Sequence, residues 1–386
     1  FNREKLNFLH RWWMVIDKKI LSIFFIFILL SCVFVFSSSI PVAGRINVDD
    51  YFFFKHHVFF IILSVTTTII ISMFGENFAK KSIFPLFSCS LIILVIVHFY
   101  GFQTKGARRW LHIFGLSIQP TELIKPSLVL VNAYLLEKFQ DTKNRNYLLI
   151  SVVLYMLCSC LILRQPDIGT LALLTMIFFT QLFLLDFIDF RLCLYISLAV
   201  IFAIFAIYSC LPHVKNRVDN FVVGIKNSNS ANYQVRMSLL GYRNSGIFGK
   251  GFMEGEIKKY IPDVHTDFIF PAIAEEFGFI FTFLMVLLYF YTAVRVMLKA
   301  NKSDDQFKFF SLYGLSLLFL TQMVINAGVS LHLLPTKGIT LPFLSYGGSS
   351  LLGTSINFGF LLVFTRKNFG FKHDIDGIAA VQIQNL

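Results

Sequence analysis

The stretch Tyr260-Ile-Pro-Asp-Val-His-Thr-Asp-Phe-Ile-Phe-Pro-Ala-Ile-Ala-Glu-Glu-Phe-Gly278 sets Asp267 at the seam between a long polar segment and a long apolar run. A carboxylate at such a boundary is partly desolvated, and desolvation raises a carboxyl pKa toward the range in which it serves as a general base. Asp267 is therefore the leading candidate for proton abstraction. A plainer reading stands beside it, in which Asp267 only caps the helix that follows. Glu275 lies further along the same run, about 12 Å deeper on a straight helix. That separation permits one base rather than two carboxylates working as a pair. Pro271 stands between them and, having no backbone N–H, is expected to bend the helix.

Four other polar groups interrupt the apolar pattern. In Gly106-Ala-Arg-Arg-Trp-Leu-His112, Arg108 and Arg109 beside an aromatic can grip a diphosphate, or can simply mark a membrane interface. Glu122 and Lys125 are three apart in Gln119-Pro-Thr-Glu-Leu-Ile-Lys-Pro126, so they share a helix face and can neutralise one another as a structural pair or as part of a site. Arg164 and Asp167 occupy a tight junction between two apolar runs and read as a buried polar hub. Pro335-Thr-Lys-Gly338 through Ser345-Tyr-Gly-Gly-Ser-Ser350 is irregular and would be costly against lipid, so it is expected to line a polar groove. Lys337 there meets an anion or snorkels to the interface. No metal-ligand spacing, phosphate-binding glycine loop or dinucleotide fingerprint is present.

The elements that must carry these residues follow from composition. The chain has 386 residues, 56% of them hydrophobic and only 15% charged, with mean hydropathy +0.69, which points to an all-α polytopic membrane protein. Apolar runs give about ten transmembrane helices near 19–40, 52–74, 82–101, 119–136, 147–163, 167–186, 190–211, 267–298, 308–334 and 342–365. Residues 1–370 form one domain, with a large extracytoplasmic loop near 212–266 between the seventh and eighth helices and a short tail at 371–386. Lysine and arginine placement favours both termini in the cytoplasm. Eight basic residues in the loop (Lys215, Arg217, Lys226, Arg236, Arg243, Lys250, Lys258, Lys259) are more than orientation requires, so a functional anion is expected on that face. Within the loop, Tyr233–Tyr242 is expected to form a short amphipathic helix, followed by a flexible, turn-rich stretch at Gly246, Gly249, Gly251 and Gly255. The six cysteines all lie in or beside apolar runs, which argues for packing rather than a disulfide framework.

In order and spacing, these motifs together with Gln165-Pro-Asp-Ile-Gly-Thr170 and Ala274-Glu-Glu-Phe-Gly278 resemble the SEDS family of membrane glycosyltransferases, and the Lys337 form of the last motif resembles its division branch. The resemblance implies a ten-span fold and polymerisation of lipid II, with undecaprenyl diphosphate leaving and the anomeric centre inverting. It implies a class B penicillin-binding protein transpeptidase and other division proteins as partners, no nucleic acid, and a place in the bacterial inner membrane at the septum. It sets the essential aspartate at Asp267. The substrate contacts are then Arg108, Arg109, Glu122, Lys125, His265, Lys337 and Ser345, with Arg164, Asp167, Pro271 and Glu275 in support. A divalent cation, Mg or Mn, is left open as a further Lewis acid. Two other functions suit the same features: a lipid II flippase and a non-catalytic scaffold of the division machinery.

Overall fold

Backbone amides inside a lipid layer have no water to turn to, so long apolar runs close their hydrogen bonds within helices. The computed structural model follows this rule and describes residues 8–104, 107–113, 116–185, 209, 215–216, 219, 221, 233–335 and 338–366. Its helices are α1 (Phe8–Val15), α2 (Lys18–Arg45), α3 (Phe52–Met73), α4 (Glu76–Tyr100), α5 (Pro120–Thr142), α6 (Arg145–Arg164), α7 (Ile168–Phe183), α8 (Tyr233–Asn244), α9 (Ile269–Ala300), α10 (Gln306–Ser330) and α11 (Gly348–Phe364). Among them α2, α3, α4, α6, α9 and α10 are long and apolar enough to cross a membrane, and α7 and α11 are shorter apolar helices. The chain is an α-helical polytopic membrane protein. The expected spans other than the one near 190–211 fall on α2 to α7 and α9 to α11. That remaining span, Lys337 and the tail lie outside the described residues.

The middle of the bundle is α5, which packs against α4, α6, α7, α10 and α11. It is buried along most of its length and carries polar groups that only an interior helix tolerates. Asn132 donates to Gln181 Oε1 of α7 at 3.0 Å and accepts from Ser151 of α6. The Gln181 amide continues to the carbonyls of Val129 and Phe310 at 3.1 and 3.2 Å. Four helices are thereby pinned by one amide network, with each hydrogen bond contributing about 0.6 kcal/mol in such a setting.

The two ends of the bundle differ in their chemistry. At one end Asp17, the N-cap of α2, holds Arg295 of α9 and also pairs with Lys299, which in turn donates to the Thr365 carbonyl at the end of α11. Lys80–Glu137 and Lys308–Glu76 pairs tie α4 to α5 and α10 at the same end. The opposite end gathers the last turn of α2, α8, the start of α9, the last turns of α10 and the start of α11.

A small antiparallel sheet, order β1-β2-β3, joins α4 to α5 through β1 (Phe102–Thr104), β2 (Ala107–Ile113) and β3 (Leu116–Ile118). Phe102 pairs with Trp110 and Leu111 with Ile118. The sequence reading did not contain this sheet, because strands this short give no period-two signal against the apolar runs on either side.

Helix α9 is broken, though not where proline predicts. Pro271 is the third residue of α9, in the first turn, where its missing N–H has no partner to lose. The break is at Gly278, whose φ of 83° and ψ of 176° leave the helical region. In an unbroken helix Phe279 N and Ile280 N would donate to the carbonyls of Glu275 and Glu276. Here they donate instead to the carbonyls of Gly246 and Ile247, at 3.1 and 3.3 Å, and the freed carbonyls accept from Lys250 N and Gly251 N, at 2.9 and 3.0 Å. The glycine stretch expected to be flexible is thus a strap spliced into the helix. From Ile269 to Glu276 the first half of α9 is continuously buried, whereas Phe279, Ile280, Phe283, Leu284 and Leu287 after the break are exposed as a lipid-facing stripe.

Candidate functional site

Asp267 lies in the turn that leads into α9, one residue before the N-cap Phe268, and is half-buried. Three successive carbonyls around it are each held by a donor from elsewhere in the fold. The His265 carbonyl accepts from Tyr346 N at 2.7 Å, the Thr266 carbonyl from the Ser345 hydroxyl, and the Asp267 carbonyl from Asn326 Nδ2 of α10 at 2.9 Å. The backbone that aims the carboxylate is therefore fixed from both flanking segments. Facing it is Gly338, so close that a Cβ there would lie 3.1 Å from Asp267 Oδ2.

Segment 338–347 owes its shape to what lies beneath it. Phe343 has φ 64°, a conformation that costs a non-glycine residue about 1–2 kcal/mol. Its carbonyl accepts from Ser31 of α2 at 2.5 Å, and that hydroxyl also meets His57 of α3 at 2.9 Å. Its ring packs against Phe24, Phe27, Phe319 and Phe358, with the Phe358 centroid 4.9 Å away. Tyr289 donates to the Pro342 carbonyl at 2.6 Å. Aromatic pairs of this kind contribute about 0.5–1.5 kcal/mol each beyond burial, and together they make a rigid floor for an irregular segment.

The turn 261–268 is anchored on its other side. Arg45 of α2 donates to the carbonyls of Ile261 and Pro262 at 2.8 and 2.9 Å. The His265 ring sits between Phe53 and Tyr346, with centroids 4.8 and 5.2 Å away. Burial pushes its imidazole down to about 4, so it is neutral near pH 7. Glu275 is fully buried and accepts from the backbone N–H groups of Glu256, Ile257 and Lys258 at 3.0, 3.0 and 3.2 Å. It caps a short 3-10 turn and holds the loop against α9. Glu276 pairs with Lys258 and accepts from Ser37 of α2 at 2.5 Å, all three groups being buried.

The other expected site residues fall as follows. Ser345 is buried, with its hydroxyl donating to Thr266 and accepting from Leu341 N at 2.9 Å, so it belongs to the frame. Glu122 and Lys125 form a buried ion pair of 2.7 Å across the first two turns of α5, where Gly353 of α11 approaches so closely that a Cβ would lie 2.5 Å from the Glu122 carbonyl. Arg109 directs its guanidinium to the carbonyls of Gln165 and Pro166, at 2.8 and 2.5 Å, and so clamps the sheet to the α6–α7 turn. Arg108 is exposed and donates to the Phe99 carbonyl at 3.1 Å. The expected Arg164–Asp167 hub is corrected. Asp167 is buried and caps α7 through Thr170, but Arg164 ends α6 pointing outward and is exposed. Lys337 lies outside the described residues.

Reasoning from sequence missed Asn326, Tyr346, Lys258 and Glu276. Asn326 carried a usable signal, a carboxamide inside the apolar run Met323-Val-Ile-Asn-Ala327. Lys258 and Glu276 carried none, because only the folded loop brings them together.

A model of the FtsW/RodA/SpoVE family, described as cell cycle protein, matches residues 17–369. The chain is 32% identical over 371 residues to the probable peptidoglycan glycosyltransferase FtsW of Caulobacter vibrioides, covering 96% of this chain and 94% of that one. With the protein of the same description from Escherichia coli O6:H1 it shares 33% identity over 345 residues, 87% of this chain and 82% of the relative. Among solved structures, a chain of a peptidoglycan synthase complex that coordinates polymerization and crosslinking superposes with TM-score 0.75 at 24% identity, over 92% of this chain and 98% of that one. The crystal structure of the Thermus thermophilus rod shape determining protein RodA does so with TM-score 0.67 at 25% identity, over 92% and 97%. With the family model matching residues 17–369 and relatives above 30% identity matched over most of their length, the chain belongs to the FtsW/RodA/SpoVE family of cell cycle proteins.

Proposed function

We infer that this protein is a peptidoglycan glycosyltransferase of cell division. The relatives at 32 and 33% identity carry that activity in their description and are matched over nearly their whole length. We propose that Asp267 is its general base. The observation that carries this role is the half-buried carboxylate at the seam, held by a backbone fixed at three successive carbonyls and facing Gly338.

In the proposed reaction Asp267 removes the proton from the 4-hydroxyl of the acceptor sugar of one lipid II molecule. The resulting oxygen attacks the anomeric carbon of the donor chain. The bond to undecaprenyl diphosphate breaks on the opposite face, so the centre inverts. A positioned base of this kind contributes about 10²–10⁴-fold, the remainder coming from alignment and charge stabilisation. Arg108 and Lys337 supply positive charge for the leaving diphosphate. Among the described residues no group of three or more His, Cys, Asp and Glu side chains is placed to hold a metal ion.

The same reading makes a class B penicillin-binding protein the partner and the septum the place of action, with the Asp267 end of the bundle outside the cytoplasm. The likeness to a chain of a complex that joins polymerization to crosslinking supports the partner. Purified Asp267→Asn is expected to make no glycan from lipid II while remaining folded. Product at near wild-type rate would remove Asp267 from the role of base.

A further inference from the structure

Asn326 is a costly residue for its position. It sits in the next-to-last turn of α10, 1% exposed, in an apolar neighbourhood where a carboxamide is disfavoured unless fully hydrogen-bonded. It is not fully hydrogen-bonded: its Oδ1 has no partner among the described residues. Its Nδ2, by contrast, uses both hydrogens, one on the Asp267 carbonyl at 2.9 Å and one on the Ile339 carbonyl at 2.7 Å. Those two carbonyls belong to the two segments that face each other at the site. Ile339 follows Gly338, and Gly338 is the residue whose Cβ would lie 3.1 Å from Asp267 Oδ2. One amide group therefore spans the gap between the carboxylate's own backbone and the backbone opposite it. The other two donors in the frame, Tyr346 N and Ser345 Oγ, each hold only the 265–266 carbonyls.

We propose that Asn326 is a positioning residue for the glycosyl transfer: it sets the width of the slot between Asp267 and the Gly338-Ile339 backbone in which the acceptor hydroxyl meets its base. The proposal rests on Asp267 being that base. The unsatisfied Oδ1 works against stability, whereas an apolar residue in its place would take these partners from the Asp267 and Ile339 carbonyls. Two donors with a fixed separation are what the amide adds.

The test uses the full-length membrane protein with lipid II as the probe. Asn326→Leu removes both donors and keeps the branched shape of the side chain. The expected result is a fall in kcat of about 10–100-fold, the scale of a misplacement near 1 Å, with KM within about threefold of wild type. The acid limb of the kcat–pH profile is expected to shift, because the surroundings of the carboxylate change with the slot. Gly338→Ala narrows the same slot from the opposite side without touching Asn326, and its kcat should fall likewise, which keeps the test open if Asn326→Leu does not accumulate. Unchanged kcat in either folded variant would overturn the proposal, as would a loss of kcat in Asn326→Leu that follows its thermal stability with the pH profile unmoved. Asp267→Asn separates the two claims. If it polymerises normally the base assignment is at fault, and if it is inactive while Asn326→Leu is normal, only the positioning role fails.

Discussion

His265 shows how the site constrains a single residue. Its ring is held between Phe53 and Tyr346, its Nδ1 has no partner among the described residues, and burial lowers its pKa from 6.5 to about 4. The depressed value means the folded protein resists a proton that the unfolded chain accepts. Stability from this residue is thus fully present above pH 6.5 and is lost as pH falls toward 4, by on the order of 3 kcal/mol in total. His265→Phe fills the same apolar slot without titrating, so its melting temperature should fall less than that of wild type between pH 7 and 4.5 in parallel thermal scans; equal falls would place the acid sensitivity elsewhere. At this scale the sequence was a fair guide to polarity and a poor one to role. Asp267 stood out because a charge at the edge of an apolar run is conspicuous. Ser345 and Arg109 stood out equally, yet both are engaged by backbone carbonyls, an assignment that no spacing contains.

At the scale of elements, the splice at Gly278 governs how the site is supported. Gly249 has φ 81°, and a Cβ there would lie 2.2 Å from the Glu276 carbonyl, whereas Gly246 has φ 59° with nothing within 4 Å of its Cβ position. Gly246→Ala therefore bears only the cost of a left-handed conformation, about 1 kcal/mol. Gly249→Ala must also push the strap off the helix and leave buried peptide groups unpaired, at about 1–3 kcal/mol each. Thermal unfolding of the two variants should separate them clearly in that order, and equal losses would show that the strap is not held by these contacts. The sequence announced the glycines but read them as flexibility, because a residue chosen for close approach and one chosen for mobility look alike. It also placed the irregularity of α9 at Pro271, a proline that the first helical turn accommodates. Helices themselves were legible, since run length and apolarity are imposed by lipid. The short sheet β1-β2-β3 was not, as strands of three to seven residues leave too little pattern to detect.

Across the whole molecule, buried polar contacts join parts of the chain that composition treats as separate. Lys258, Glu276 and Ser37 bring the loop, α9 and α2 to one point, with Lys258 Nζ donating to Ser37 Oγ at 2.7 Å and pairing with Glu276. Removing one member leaves a buried charge alone. Lys258→Met or Glu276→Leu should each destabilise the protein by about 3–5 kcal/mol, while the double substitution should recover most of that loss. A double-mutant cycle by thermal unfolding measures the difference, and additive losses would mean the two groups are independently solvated. The strap has a parallel consequence for biogenesis. Its residues 246–251 emerge from the ribosome before α9, and four main-chain groups of that helix, those of Glu275, Glu276, Phe279 and Ile280, pair with the strap where an unbroken helix would pair them with one another. The break in α9 is therefore set by the docking of the loop, after the helix itself can already have formed. A chain shortened through the strap would be free to close these four groups as one continuous helix, so it would keep the span and lose the bend that separates its buried half from its exposed one.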